Sequence, residues 1–221
     1  AFPPHGVTMS YSRARRDGLG APAALSGAHG RARHGRGLVT ACRPDQLISK
    51  ALWRTRVVTQ QGYREAMARF GAHVNVVTTD GPAGRRGFTA SAVCSVTDAP
   101  PTLLVCVNRQ NDSHPAMLTN GVLCVNALCA DQQEISALFS RETNDPLARF
   151  TAGDWHVLET GAPALHGAVV SFDCRIMQVT EVGTHSVMFG QVVAIRHGDR
   201  HDGLVYFGRT YHPLRRPLPA G

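Results

Sequence analysis

Aromatic residues make up only 6% of the 221-residue sequence, so any core must be packed from aliphatic side chains. No apolar run approaches the ~18–20 residues that a spanning helix needs, which argues against an integral membrane protein. A collagen period, a heptad run and any repeat at a fixed spacing of about 20–50 residues are all missing, and with them fibres and solenoids. None of the cysteines (Cys42, Cys94, Cys106, Cys124, Cys129 and Cys174) is spaced Cys-x-x-Cys, so zinc ribbons and dithiol redox motifs are excluded. Cys94, Cys106, Cys124 and Cys174 sit in apolar, strand-like runs, where a buried reduced thiol acts as a small hydrophobe. That usage suits a reducing cytoplasm. What remains, 43% hydrophobic and 18% charged, is ordinary globular composition.

The net charge of +7 does not belong to the whole chain. Residues 1–58 carry nine arginines and Lys50 against Asp17 and Asp45, a balance of +8. Residues 59–221 carry 13 arginines, no lysine and 14 acids, a balance of −1. A body without a basic stripe makes a poor nucleic-acid binder. The basic segment has little periodicity before Leu47 and contains Arg31-Ala32-Arg33-His34-Gly35-Arg36. It reads as a disordered extension or an over-extended reading frame. An Arg-rich, acid-poor transit peptide and an RNA-binding arm are the sharper alternatives.

The body alternates short strands and turns. Thr59 caps a predicted helix through Phe70, with Tyr63, Ala66, Met67 and Phe70 on one face and Gly71 ending it. Extended runs are expected at 73–79, 87–97, 102–107 and 122–128. Short helices are expected from Asp112 or Ser113 to Asn120, and from a capping box at Asp131-Gln132-Gln133-Glu134 to Phe139. An irregular stretch follows. Val170, Phe172, Cys174 and Ile176 alternate with Ser171, Asp173 and Arg175 as a half-buried strand. A tight turn at Gly183-Thr184-His185-Ser186 leads into a return strand with Val187, Phe189, Gln191, Val193 and Ile195 on one face. A last short strand covers 204–207. This order argues for an antiparallel barrel rather than a doubly wound parallel sheet.

The densest run of candidate binding residues is Gly84 to Thr97. Glycines at 81, 84 and 87 allow close approach of a flat ligand to the backbone, and Thr89, Ser91 and Ser95 alternate on one face if the strand is continuous. Hydroxyls with backbone N–H groups suit a phosphate or a polar heterocycle edge, and an ordinary surface strand rich in Thr and Ser is the alternative. Neither Gly-x-Gly-x-x-Gly opening a helix nor Gly-Lys-Ser/Thr occurs, which removes Rossmann and P-loop nucleotide sites. No Gly-x-Ser-x-Gly elbow occurs either. The run His197-Gly198-Asp199-Arg200-His201-Asp202 is the one clustered metal-ligand type and reads better as a solvated loop.

The motif order resembles the short-chain flavin reductase family, the reductase components of two-component flavin monooxygenases. The resemblance spans about residues 59–215, leaving a 216–221 tail. It rests on Val74-Asn75-Val76-Val77-Thr78-Thr79-Asp80-Gly81, on 87–96, on Pro100-Pro101-Thr102-Leu103-Leu104-Val105-Cys106-Val107-Asn108 and on Leu123-Cys124-Val125-Asn126. Ser171-Phe172-Asp173-Cys174, Gly183-Thr184-His185 and Arg209-Thr210-Tyr211-His212 complete it. The run from Thr78 to Asn108 is most similar to the reductases of pyrimidine utilisation.

The family implies a mainly β, FMN-binding split β-barrel, antiparallel and Greek-key-like, with a few peripheral helices, working as a homodimer. It implies hydride transfer from NADH or NADPH to FMN, with reduced FMN passed to a partner flavin-dependent monooxygenase in pyrimidine (uracil) degradation. A reductase of an aromatic (4-hydroxyphenylacetate-type) hydroxylase, a non-catalytic FMN module and a pyridoxamine phosphate oxidase-like barrel are the alternatives. Carried over by position, Gly87, Phe88, Thr89 and Ala90 run along the isoalloxazine, and Ser91 and Ser95 bond its polar edge or phosphate. Asn108 and Arg109 reach the phosphate. His185, Tyr211 and His212 lie at the nicotinamide nucleotide. Such hydride transfer needs no acid or base, only a donor–acceptor approach of about 3–3.5 Å. No residue is therefore expected as an acid or base, and no metal.

Overall fold

The protein is described here by a computed structural model covering residues 57–215. The expectations for the basic extension and for the 216–221 tail fall outside the described residues, apart from Val57 and Val58. The first element is helix α1 (Gln60–Met67), with Thr59 as N-cap accepting from the Gly62 N–H at 3.0 Å. It ends earlier than the apolar spacing predicts, and none of its residues is buried. Phe70 is 71% exposed, so the expected apolar face meets no core.

Next come β1 (Ala72–His73), β2 (Asn75–Thr79), β3 (Arg86–Ala90), β4 (Val93–Asp98) and β5 (Pro101–Asn108). Helix α2 (His114–Asn120) closes at Gly121, whose φ of 67° is the left-handed cap geometry glycine tolerates. Then follow β6 (Val122–Ala127), α3 (Gln133–Phe139), a 3₁₀ turn (Pro146–Thr151), β7 (Trp155–Val157) and β8 (Pro163–Leu165). The chain finishes with the long pair β9 (Val170–Val182) and β10 (His185–His197), then β11 (Gly203–Phe207) and β12 (Thr210–Leu214).

Seven strands form one antiparallel sheet in the order β3-β2-β6-β9-β10-β5-β4. Its two end strands share a core. Phe88 and Ala90 of β3 pack with Val77, Val105, Val107, Leu123, Val125 and Met188, and Val93 of β4 packs against the same cluster. The sheet is thus curled on itself, the split barrel that the family resemblance implies. The barrel core is mostly aliphatic, as the scarcity of aromatics requires, with Phe88 among it. A second core cluster holds Phe139, against which Phe150 and Trp155 pack with ring centroids 5.1–5.4 Å apart.

Several local expectations are corrected. The run 87–97 is two strands, broken at Ser91-Ala92, so Thr89 and Ser95 do not share a face. Cys94 is exposed, on the outer side of β4. No capping box forms before α3: Gln132 is the N-cap without a side-chain capping bond, and Asp131 instead pairs with Arg200 at 2.8 Å. The irregular stretch contains the β7–β8 hairpin. That hairpin explains why Ser171 and Asp173, the expected solvent side of β9, are buried. Asn126 accepts from the Ser171 hydroxyl and the Leu165 N–H, both at 2.8 Å, and donates to the Val76 and Pro163 carbonyls. Asp173 accepts from the Thr160 N–H at 2.7 Å. Buried polar groups persist where they are bonded in this way.

Candidate functional site

The Cα side of Gly87 is enclosed, with no room for a side chain. A Cβ there would lie 2.8 Å from Phe139 Cε1 and 3.1 Å from the Val77 carbonyl oxygen. Phe88 and Ala90 point into the barrel core, so only their backbone is available to a ligand. Thr89 points the other way, and its hydroxyl donates to the Ser136 carbonyl at 2.7 Å. The Ser136 hydroxyl is bonded to the Tyr211 phenol at 2.9 Å. One residue of α3 thus joins β3 to Tyr211, which lies on β12 and not in a loop. His212, also on β12 and exposed, is held locally by Thr210 Oγ1 at 2.9 Å and the Phe207 carbonyl at 3.1 Å.

Beyond the break, Ser91 and Ser95 are exposed, and neither hydroxyl has a hydrogen-bond partner among the described residues. Asn108 ends β5. Its carbonyl oxygen accepts from the Gln110 N–H at 3.0 Å, while its amide nitrogen has no partner among the described residues. These free donors fit the polar edge or phosphate of a flavin. Arg109 is differently placed. Its guanidinium meets Glu181 at 2.8 Å and the Gly183 carbonyl at 2.6 Å, so it clamps the β9–β10 turn.

His185 is directly opposite Asn108 in the sheet. It begins β10 instead of sitting in the turn, and it is only 7% exposed, against the expectation of an exposed turn residue. Burial pushes its pKa below the usual histidine value. The Thr184 hydroxyl bonds its Nδ1 at 2.9 Å. Thus Asn108, Arg109 and His185 are brought together at one end of β5 and β10. Thr89 and Tyr211 are joined through Ser136. Ser95 faces Leu103, well along β5 from Asn108.

Sequence reasoning missed three residues beside these. His114, buried at the start of α2, meets the Ser186 hydroxyl at 2.9 Å; burial and then Arg109 lower its pKa. Ser113 is buried and donates to Asp112. Arg149, on the 3₁₀ turn, is bonded both to Asp112 and to the Gly87 carbonyl. The Asp145-Pro146 pair, with Asp145 capping the Leu147 N–H at 3.0 Å, signals the turn that carries Arg149. Nothing local signals its partners. A separate cleft of about 320 Å³ lies between the 166–168 and 197–200 loops, and none of the predicted binding residues lines it. There Arg200 is paired with Asp131 and Asp202, which leaves the 197–202 run a solvated loop.

A family model described as "Flavin reductase like domain" matches residues 67–215. The chain belongs to the flavin reductase like family. Curated relatives support this across most of the chain. It is 54% identical over 172 residues to "FMN reductase (NADH) RutF" of Yersinia enterocolitica, covering 78% of this chain and 94% of the relative. It is 57% identical over 157 residues to the protein of that name from Ancylobacter novellus, covering 71% and 86%. Among solved structures, it is similar to BorF, the flavin reductase component of a bacterial two-component tryptophan halogenase. That match has 31% identity and a TM-score of 0.67, covering 72% of this chain and all of that one. A Streptomyces globisporus NADH:FAD oxidoreductase, SgcE6, solved with NAD and FAD fragments, matches at 29% identity and a TM-score of 0.64, covering 72% and 93%. Within this family the split barrel and its free-donor rim acquire a function to test.

Proposed function

We propose that this protein is an NADH-dependent FMN reductase, one that supplies reduced FMN to a separate flavin-dependent monooxygenase. The observation that carries this reading is the 54–57% identity, over most of the chain, to proteins named FMN reductase (NADH) RutF. The similarity of the run from Thr78 to Asn108 to the reductases of pyrimidine utilisation favours an oxygenase of that pathway as the partner. The chemistry that FMN supplies when bound is hydride acceptance from the nicotinamide. The chain's own part is to bind and orient. Ser91, Ser95 and the Asn108 amide offer free donors, and the backbone from Gly87 to Ala90 forms a wall whose side chains are committed elsewhere. Donors beside the flavin edge stabilise negative charge that builds up during reduction. His185 and Tyr211 are the candidates for the nicotinamide side. Burial disfavours the charged form of His185, which suits contact with a neutral carboxamide.

The working unit is a homodimer in this reading. Met177 and Val179 of β9, with Val193 and Ile195 of β10, are exposed apolar side chains on two paired strands, and exposed apolar side chains of this kind support an interface. The five described cysteines are free, which supports a cytoplasmic location. The domain of action is 59–215, with 1–58 dispensable for turnover. The test is NADH consumption by the full chain, with and without FMN. FMN-dependent turnover supports the reading. Flavin binding without turnover moves the protein to a carrier or sensor role, and no flavin binding overturns the reading. Light scattering during gel filtration tests the dimer.

A further inference from the structure

Arg149 is a buried cation that joins segments far apart in sequence. Its side chain is 5% exposed. One terminal nitrogen, Nη1, donates to the Gly87 carbonyl at 2.9 Å and to the Asp112 carboxylate at 3.0 and 3.3 Å. The other, Nη2, donates to the Arg141 carbonyl at 2.7 Å. Its buried Nε has no hydrogen-bond partner. An unmet buried donor carries a desolvation cost, tolerated here while the two terminal nitrogens stay engaged. Around it, Phe139 closes on Gly87, and Phe150, next in sequence, packs edge-on to Phe139 at 5.1 Å. Arg85 stands over the Phe150 ring at 5.4 Å.

The placement of its partners gives this fork its meaning. Gly87 begins the backbone wall of the proposed flavin site. Asp112 lies in the 109–113 loop just past Asn108 and accepts from the Ser113 hydroxyl at 3.2 Å. β3 and β5 are not neighbours in the sheet, so no backbone ladder sets the spacing between wall and loop. We infer that Arg149 is a positioning residue for flavin, fixing the Gly87 wall and the Asp112 loop at the separation that a bound flavin must span. The inference rests on the flavin reductase reading of the site. Only a planar fork with several donors holds a backbone carbonyl, a carboxylate and a second carbonyl at once, so lysine does not replace it.

The test compares wild type with Arg149→Lys, Asp112→Asn and the double variant, measuring the FMN dissociation constant, the steady-state constants and thermal stability. Asp112→Asn leaves Arg149 on Gly87, and it keeps the inference testable if Arg149→Lys folds poorly. The expected result is FMN binding weakened about tenfold in Arg149→Lys and about threefold in Asp112→Asn, with kcat at saturating FMN falling less than affinity. The double variant is expected to be no worse than Arg149→Lys, since both act through one tether. Lower stability with unchanged FMN affinity in folded variants assigns Arg149 to packing alone and overturns the inference. A wild type that neither binds nor reduces flavin overturns the reading and the inference with it. A wild type that turns over while both variants bind FMN normally overturns the inference alone.

Discussion

Thr89 and Ser95 stand in the same hydroxyl-rich run, yet Thr89 donates into the Ser136 carbonyl while Ser95 is exposed with no partner among the described residues. The contrast extends along both halves. In β3, Gly87 has no room for a methyl group, Phe88 and Ala90 are core, and the Gly87 carbonyl is held by Arg149. In β4, everything from Cys94 to Asp98 is exposed. The break at Ser91-Ala92 separates a half committed to the protein from a half open to something else. Similar residues thus serve as wall in one half and as free donor in the other. The difference comes from what packs outside each strand: α3 and the 3₁₀ turn cover β3, and no described helix covers β4.

The largest expected effect breaks the β3 half. Gly87→Ala places a methyl against the Phe139 ring and the Val77 carbonyl, neither of which yields easily. Overpacking of this kind costs about 1–3 kcal/mol, read as a fall in the denaturant midpoint. Were Gly87→Ala neutral for stability, β3 would have room beside the Phe139 ring after all and the contrast with β4 would be lost.

The β4 half is sharpened by the opposite pattern. The double variant Ser91→Ala, Ser95→Ala is expected to weaken FMN binding about tenfold, as two hydrogen bonds at ~0.5–1.5 kcal/mol each imply. Stability should move by no more than about 0.5 kcal/mol, since neither hydroxyl is bonded within the described protein. A titration following flavin fluorescence, paired with urea unfolding, reads both numbers. Unchanged FMN affinity would take the open half out of the site.

His185→Ala probes the nicotinamide side. A KM for NADH raised about threefold to tenfold is expected, with smaller change in FMN affinity. Wild-type kinetics would return His185 to a packing role beneath the β9–β10 turn.

Much of the barrel was legible in the sequence because strands buried on one face carry their own period. The β-branched run 75–79 and the apolar run 122–127 became β2 and β6, and Gly121 and Gly183 stopped elements where glycine was needed. What was not legible depends on partners distant in sequence. Ser171 and Asp173 read as solvent-facing because no local pattern announces that the β7–β8 hairpin will cover them. Ser91 gave no sign that a strand would break there, since Ser-Ala is compatible with extended backbone. On β10, Val193 and Ile195 look like core by composition and are exposed. For the site, residue types were readable and their commitments were not. Arg109 looked like a free anion binder and is an ion-paired clamp on Glu181, while Arg149 gave no signal and holds Gly87.

The smallest effect is expected from pH and distinguishes the two regions by their histidines. His73 lies beside β2, where its Nε2 bonds the Leu128 carbonyl at 3.0 Å; His114 and His185 lie near Asn108. Burial lowers the pKa of all three from 6.5, with Arg109 adding to the effect on His114. Because each folded value lies below the unfolded one, the unfolded chain takes up protons first as pH falls. Stability is therefore complete above the unfolded value of about 6.5 and declines as pH drops through it toward the folded values. Melting temperatures taken from pH 7.5 to about 5.5 should fall steadily, by a few degrees at most. Replacing His73 with glutamine should remove its share whether or not FMN is present, because it lies away from the Asn108 end. With FMN bound, the phosphate expected near Asn108 would favour the protonated forms of His114 and His185 and flatten the remaining slope. An identical slope with and without FMN would place the phosphate away from Asn108 and leave Ser91 and Ser95 as the site's only free donors.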